Sequence, residues 1–497
     1  MRLPVKKILL VVLVIVAVFF QKRAEAQHVM SPRNKRFSDR FEVYYLKQDS
    51  ALHTTFSPQV IDRKFWFAYR DFDNERSHRK DSDKLLFRKF RKESLIEVQK
   101  KDFYIGADVL FNFQVGRDLA VDSVRNLSTN TRGVRVYGNI GKKVYFETSF
   151  LENQSYFPEF LSNSIDQAGV VPGQGAPKDF KETGYDYAYA TGFFNVQLNK
   201  HFNFQFGHDK LFVGDGYRSL LLSDNAFNYP FLKATTTLWK GRIQYHTTWA
   251  QLQTLERTPK TGENSAIFKR KAGTFHFLSF SPVKQIEVGL FEGITWQRWQ
   301  DGEGSRDFDY NFINPVIYSN SLAKQDDNDI SAVFGTTLRL LPVEKVKVYG
   351  QYTNNYEGED GFQLGFKTYD LLINDLTFQV EYNQLDEGFS HYSQTLSSYS
   401  HYNESLAHPA GDGFEELLAG INYRYRDVFL NLRYIARLED KGSFDPYVID
   451  LRLGYLINPV SNFNVYVGMF RRDYNSSETE WVYFGIKTSL TNYYYDF

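Results

Sequence analysis

The feature that most constrains the fold is a long series of segments, about eighteen of them, in which polar and apolar residues alternate. Each is about 9–13 residues long, the length that crosses a bilayer as a tilted β-strand. They cover residues 103–115, 132–140, 143–152, 187–198, 202–211, 231–239, 242–252, 272–281, 286–296, 329–341, 346–355, 361–371, 376–385, 415–425, 428–438, 447–457, 462–472 and 480–490. An even number of such strands is typical of bacterial outer-membrane barrels.

The alternation assigns one face of each strand to lipid and the other to the interior. In one segment the apolar set is Leu376, Phe378, Val380 and Tyr382, and the polar set is Thr377, Gln379, Glu381 and Asn383. A slip of one residue would place charges in lipid at roughly 2–4 kcal/mol each, so the register is well specified. Segments 272–281 and 286–296 are aromatic on both faces, and the pattern does not orient them.

The polar faces carry many charges of both signs. They include Glu147, Arg339, Lys367, Glu381, Arg424, Arg433, Asp450, Arg452 and Lys487. We expect these charges to pair with one another and fill the interior. The alternative is that they line a path for a polar or anionic solute, because a barrel of this size can enclose a channel.

The connections between segments are alternately short and long. Short ones fall at 141–142, 199–200, 240–241, 282–285, 342–345, 372–375, 426–427 and 458–461, and the long ones at 153–186, 212–230, 253–271, 297–328 and 386–414. Outer-membrane barrels have short periplasmic turns and longer extracellular loops. The sequence therefore predicts an all-β antiparallel outer-membrane barrel with both chain ends in the periplasm, rather than a large soluble β protein or a carbohydrate-active enzyme.

The two ends of the chain support this assignment. Lys6 and Lys7 precede an unbroken apolar run over residues 8–20, and Ala24-Glu25-Ala26 follows. This pattern predicts a secretory signal peptide over residues 1–26, because thirteen apolar residues fall short of the roughly 20 that a membrane helix needs. At the other end, an aromatic final segment and the tail Tyr493 to Phe497 look like the assembly signal of outer-membrane barrels.

Residues 27–101 lack the strand pattern. The stretch 76–101 is rich in Lys and Arg and contains apolar residues at helical spacing, which predicts one or two amphipathic helices. The run Arg63-Lys64-Phe65-Trp66-Phe67 could interrupt the region as a short strand. We interpret 27–101 as a partly helical periplasmic or barrel-plugging segment, and 102–497 as the transmembrane barrel.

Composition and motifs exclude several functions. The chain has no cysteine, so disulfides and thiolate metal sites are impossible. Lys and Arg together number 59, as do Asp and Glu, a balance that argues against a nucleic-acid partner. The common hydrolase, zinc-protease and nucleotide-binding motifs are absent. The acidic run 326–329 matches no calcium-loop motif. We expect no enzyme activity, no cofactor and no metal site.

Two predicted outer loops carry the residue types that bind glycans. Sugars need aromatic faces for stacking, with carboxylates, amides and guanidinium groups beside them for the hydroxyls. The candidate binding residues are Asp215, Tyr217, Arg218, Asp224, Asn225, Tyr229, Trp299 and Tyr310. The alternative is that the loops use these same groups to fold over the barrel mouth.

The run GDGYRSLLLSDN at 214–225, together with LHTTFSP at 52–58 and the YDF end at 495–497, resembles the Wzi-type capsule-assembly outer-membrane proteins. It is more similar to their Bacteroidota branch, the RemB type linked to gliding motility. The resemblance implies a large barrel with a periplasmic helical element that supports surface polysaccharide attachment, adhesion or gliding. The implied partners are outer-membrane lipid, surface polysaccharide and other outer-membrane or cell-surface proteins. Two alternatives stay open, a subunit of a larger secretion or assembly complex and a porin for polar solutes.

Overall fold

The computed structural model describes residues 28–48, 53–79, 84–121, 126–259, 266–300, 304–307, 309–324, 329–390, 396–438, 446–474 and 477–497. The predicted signal peptide and residues 326–328 of the acidic run lie outside these residues. Within the described residues, no helix combines the length and the apolar character that a transmembrane helix needs.

Eighteen antiparallel strands form a closed barrel in which the last strand pairs with the first. They are β1 Phe103–Asp118, β2 Asn126–Ile140, β3 Val144–Tyr156, β4 Gly184–Gln197, β5 Phe202–Asp209, β6 Tyr229–Leu238, β7 Ile243–Arg257, β8 Phe268–Val283, β9 Ile286–Gln297, β10 Ile330–Val343, β11 Val346–Asn355, β12 Asp360–Tyr369, β13 Leu376–Leu385, β14 Phe414–Tyr425, β15 Val428–Leu438, β16 Tyr447–Asn458, β17 Phe463–Tyr474 and β18 Ser477–Lys487. Each overlaps one predicted segment, so the predicted architecture is confirmed.

The two ends of the barrel differ as predicted. At one end, here the short-turn end, no connection exceeds the six residues of 370–375. The opposite, long-loop end carries the connections 157–183, 210–228, 258–267, 298–329 and 386–413. Because the pairing is sequential and antiparallel around the ring, successive connections alternate between the two ends. All the long ones fall at the long-loop end.

The faces of the strands follow the predicted alternation. On β18, Tyr483 faces the interior and is 6% exposed, whereas the next residue, Phe484, faces outward and is 51% exposed. The same holds for β13, where Glu381 and Asn383 are buried. Strands β8 and β9 are the exception, because part of their outer face is buried as well.

Aromatic rings also line the interior, opposite glycines. Tyr349 lies directly across from Gly365 on the neighbouring strand, and Tyr483 lies across from Gly468. A Cβ atom on either glycine would collide with the ring. The high aromatic content therefore reflects packing of the interior as well as the lipid-facing surface.

The remaining elements are short. The helices are α1 Asp39–Leu46, α2 Arg63–Arg76, α3 Leu85–Arg91, α4 Glu159–Ala168 and α5 Ser319–Ala323, with 3-10 turns at Trp239–Gly241 and Tyr310–Ile313. Short strands lie at His28–Met30, Phe56–Ser57, Val60–Asp62, Ile96–Lys100, Lys178–Phe180, Phe212–Val213, Trp299–Gln300, Gly304–Ser305, Ser400–His401 and Glu404–Ser405.

The N-terminal segment closes the short-turn end. Helix α1 lies inside the barrel, where Lys367 contacts Asp39 at 2.7 Å and Glu42 at 3.0 Å. The prediction of a short strand at 63–67 was wrong, because these residues begin α2. The Asp62 carboxylate caps that helix by accepting the Lys64 N–H at 2.6 Å. The aromatic residues of α2 then pack against α1 instead of pairing as a strand.

The C-terminal tail also enters the barrel. The last strand ends at Lys487, not at 490, and residues 488–497 turn into the interior. Asn34 donates to the carbonyl of Thr491 at 2.8 Å, and the carbonyl of Phe497 accepts from Arg472 at 3.3 Å near the long-loop end. Phe497 therefore does not close a lipid-facing strand, because the tail finds its polar partners only in the interior.

Candidate functional site

The long loop 210–228 folds into the barrel instead of over its surface. Tyr217 and Arg218 are 6% and 1% exposed, and the run 220–222 is fully buried. Leu221 and Leu222 join an apolar core that fills one side of the interior, together with Phe275 and Phe291 from the barrel wall. Three consecutive leucines in a loop are explained by this core, since an outer loop would leave them in water.

The interior holds Arg218 between two carboxylates. Its guanidinium contacts Glu416 of β14 at 3.2 Å and Asp496 of the tail at 3.1 Å. Glu381 of β13 accepts the backbone N–H groups of Tyr217 and Arg218 at 2.7 and 3.0 Å. The loop, the tail and the barrel wall are thus joined in one hydrogen-bonded network.

The other predicted residues of this loop are engaged in the same way. Asp215 accepts from Thr55 at 2.7 Å, and Asp224 accepts from Asn492 at 2.8 Å and from Tyr494 at 2.7 Å. Tyr229 is 1% exposed, at the start of β6, and Asn225 is 6% exposed. The structure brings these residues together inside the barrel, where a ligand outside cannot reach them. Binding by them stays a prediction that would require the interior to open.

Burial and ion pairing set the protonation of the tail. Burial by itself would raise the pKa of Asp496, but the charges of Arg218 and Arg433 hold that pKa below its ordinary value. The carboxylate is therefore ionised across the neutral range, and it remains a partner for Arg218 and for the Tyr217 hydroxyl at 2.8 Å.

One carboxylate joins three long loops. Glu404 in loop 386–413 accepts the N–H of Gly173 in loop 157–183 at 2.6 Å and the N–H of Phe227 in loop 210–228 at 2.9 Å. Burial raises the pKa of Glu404 to about 7, with Lys210 opposing the rise. The cap at the long-loop end is consequently tied together at a single titratable side chain.

The charges that the alternation assigned to the interior do face it. Glu147 pairs with Arg135 at 2.8 Å, and Arg339 pairs with Glu287 at 3.2 Å. Asp450 binds Arg36 of the N-terminal segment. The expected paired network is confirmed for these residues, and it includes N-terminal residues that the strand pattern could not reveal.

The interior retains sizeable cavities, among them one of about 200 Å³ and one of about 130 Å³. The larger one lies between strands β1–β4, β16 and β18, the N-terminal segment and the tail. Its lining mixes aromatic, uncharged polar and charged groups, among them Gln114, Tyr187, Trp481, Arg135, Glu147 and Arg452. Such a lining suits a small polar molecule or a water chain.

A half-buried group of rings lies at the long-loop end. We define the rim patch as His208, Phe227, Phe268 and Tyr402. The ring of Tyr402 lies 4.7 Å from that of Phe227 and 6.0 Å from that of Phe268, and His208 lies 6.0 Å from Phe227. Sequence reasoning missed this patch because its members come from four separate segments. Only their position near predicted strand ends could have indicated it.

The last two predicted residues lie elsewhere. Trp299 is partly exposed in a small hairpin beyond β9. Tyr310 is 78% exposed on a segment that lies against the outside of the barrel. Among the described residues, no group of three His, Asp or Glu side chains is arranged to hold a metal ion.

Comparison with known proteins gives the fold. No family model and no curated protein sequence match the chain. Among solved structures, Wzi, an outer-membrane protein involved in group 1 capsule assembly in Escherichia coli and described as a carbohydrate-binding β-barrel, matches with a TM-score of 0.54 and 12% identity, over 93% of this chain and 100% of Wzi. OccAB4 of Acinetobacter baumannii matches with a TM-score of 0.45 and 8% identity, over 78% of this chain and 98% of that one. The chain has a Wzi-like outer-membrane barrel fold.

Proposed function

We propose that this protein is a non-enzymatic outer-membrane barrel that does not conduct and that binds cell-surface polysaccharide at its long-loop end. The observation that carries the proposal is the filled interior. Helix α1 and the tail occupy it from one end and loop 210–228 from the other, and all three are bonded to the wall. A barrel closed in this way serves as a rigid anchor.

The loop cap supports a binding role. Glu404 joins three loops, and the Tyr399 hydroxyl adds a bond to the carbonyl of Leu221 at 2.7 Å. Binding is weaker when the protein must become more ordered in order to bind. A surface that is already rigid therefore loses less entropy on binding. A fixed cap is therefore suited to holding a long, flexible polymer.

The rim patch supplies side chains that would contact a sugar. Its rings are partly exposed, and Arg257 lies 4.7 Å from the centre of the Phe268 ring. Sugar rings present C–H groups on one face and hydroxyls at the edge, which suits an aromatic face beside a guanidinium group. Asn403, exposed next to Tyr402, adds an amide within the same surface.

Two further elements of the proposal rest on the likeness to Wzi. The printed description of Wzi as a carbohydrate-binding barrel supports polysaccharide as the ligand class. The long-loop end would then face outward and the short-turn end the periplasm. Adhesion or gliding of the RemB type would be a downstream use of the same surface attachment.

Binding of the polysaccharide isolated from the native host tests the proposal. Tyr402→Ala and Phe227→Ala should each raise Kd about tenfold, which corresponds to about 1.4 kcal/mol, a value in the range of one aromatic contact. Phe180→Ala is the matched control, because that ring is also half-buried at the long-loop end but lies outside the rim patch. Equal loss in all three variants, or no binding by the unaltered protein, would count against the rim patch.

The cavity of about 200 Å³ favours a second candidate, a narrow path for small polar solutes. Planar-bilayer recording separates the two functions. The intact protein should show no steady conductance, and deletion of residues 31–48 combined with a short turn in place of loop 210–228 should open the barrel. Steady, solute-selective conductance of the intact protein would favour the transport function instead.

A further inference from the structure

The segment 309–324, here the wall segment, lies against the outside of the barrel. Phe312 stacks on Trp296 with ring centres 3.8 Å apart, and Trp249 donates to the carbonyl of Phe312 at 3.0 Å. Both tryptophans belong to the outward faces of their strands, β9 and β7. This segment is what buries the outer faces of β8 and β9, which the alternation could not orient.

The barrel wall beneath the segment carries groups that lipid would not tolerate. Glu292 and His276 point outward and are fully buried. The Glu292 carboxylate accepts the N–H of Tyr318 at 2.9 Å and the hydroxyl of Ser321. A charge on the lipid face is unfavourable near the middle of the bilayer. The wall segment is therefore the built-in cover for this part of the barrel.

The covered region lies at the height of the apolar belt. Glu292 is six residues from the start of β9 at the short-turn end, or about 15 Å along the barrel axis at the usual strand tilt. The apolar belt of such barrels is about 25 Å tall. Phe362 on β12 lies at about the same height, seven residues from the short-turn end. It is an exposed apolar side chain, as expected within the apolar belt.

Irregular backbone at that depth requires that its polar groups be satisfied by protein, and several polar groups of the wall segment are bonded in this way. The carbonyl of Ser321 accepts the Tyr356 hydroxyl at 2.6 Å, and that of Pro315 accepts the Tyr245 hydroxyl. Its two charged residues, Asp309 and Lys324, pair with each other.

The outer face of the wall segment is mostly apolar, with Asn311 and Asn314 as its exposed polar residues. Tyr310, Ile313, Val316 and Leu322 are 78%, 47%, 58% and 67% exposed. We propose that this face is a lipid-binding surface, and that the wall segment lies within the membrane with these side chains against acyl chains. The continuity of this face with the apolar belt, at the same height, selects lipid as the occupant. The segment thus belongs to the membrane-embedded wall and not to the outer loops.

Single-cysteine labelling requires no other substitution, because the chain has no cysteine. Val316→Cys and Leu322→Cys would carry a nitroxide on the wall segment. Phe362→Cys is the lipid-exposed control, and Asp179→Cys, in an exposed loop, is the aqueous control. Purified protein in phosphatidylcholine vesicles is then exposed to oxygen, which concentrates in lipid, and to a water-soluble nickel chelate.

We expect the nitroxides at Val316→Cys and Leu322→Cys to collide mainly with oxygen. Their collision rates should match those of the nitroxide at Phe362→Cys. Nickel collision rates equal to those of Asp179→Cys would overturn the proposal, since the segment would then lie in water. Exclusion of both reagents would overturn it too, because protein, such as a second copy of the chain, would cover the face. Two labelled positions keep the test informative if one substitution prevents assembly.

Discussion

Replacing Arg218 with methionine tests whether the tail and the loop are joined in the interior. The Arg218 side chain is fully buried, and its loss leaves Glu416 and Asp496 buried without their shared partner. Removing one member of a buried ion pair costs about 3–5 kcal/mol. We expect the lower end of that range, because Glu416 keeps Arg437 at 3.1 Å and Asp496 keeps Arg433 at 3.5 Å.

The free energy of unfolding is measured by urea titration of the refolded barrel in detergent micelles. Asp496→Asn should cost about 2 kcal/mol, and the double variant should cost less than the sum of the two by about 1–2 kcal/mol, because the residues are in contact. Arg270→Met, at an exposed position on β8, is the control and should leave stability unchanged. Additive effects of the two changes would refute the direct contact.

Carboxypeptidase gives an independent measure of the same contact. In the intact protein the tail is held inside the barrel, so Tyr494 and Phe497 should be protected from digestion. Arg218→Met should release the tail and allow its removal. Rapid digestion of the unaltered protein would mean that the tail lies outside.

Three further changes probe other contacts. Gly216→Ala should destabilise the barrel by about 1–3 kcal/mol, measured by urea unfolding, because the added Cβ collides with the Glu381 carboxylate. The pKa of Glu404, about 7 against an ordinary 4.5, means that the native state binds more protons between these values, so stability should fall by roughly 3 kcal/mol as pH rises from 4.5 to 7. Glu404→Gln should flatten that part of the stability–pH profile; an unchanged profile contradicts the assignment. Val467→Lys, on the lipid face, should cost about 2–4 kcal/mol in vesicles.

The barrel was predictable because its signal is local. A residue's face follows from its position in the strand, so Glu381 and Asp450 could be assigned to the interior without knowing their partners. The alternation of short and long connections supplied the topology in the same way. Strand ends were less certain: β2 begins at Asn126, not 132, because its first residues extend beyond the apolar belt.

The placement of the long loops was not predictable, because it depends on contacts distant in sequence. Arg218 and Asp496 are 278 residues apart, and nothing local joins them. Some signals were present. The leucines at 220–222 indicated burial, whereas Glu292 gave no signal, because the pattern did not orient its strand. The rim patch had no comparable signal, since its rings meet only after the loops have folded.

The course of the C-terminal tail has a consequence for how the wall and the interior are connected. Residues 488–497 become part of the filling, between the N-terminal segment and loop 210–228. Residues 488–497 leave β18 at the short-turn end, so the segment that completes the wall also contributes to the filling. The seam and the interior are therefore continuous in the chain, since β18 pairs with β1 and leads directly into the tail. A polypeptide fused after Phe497 would start beside Arg472, on the far side of the barrel from the end of β18.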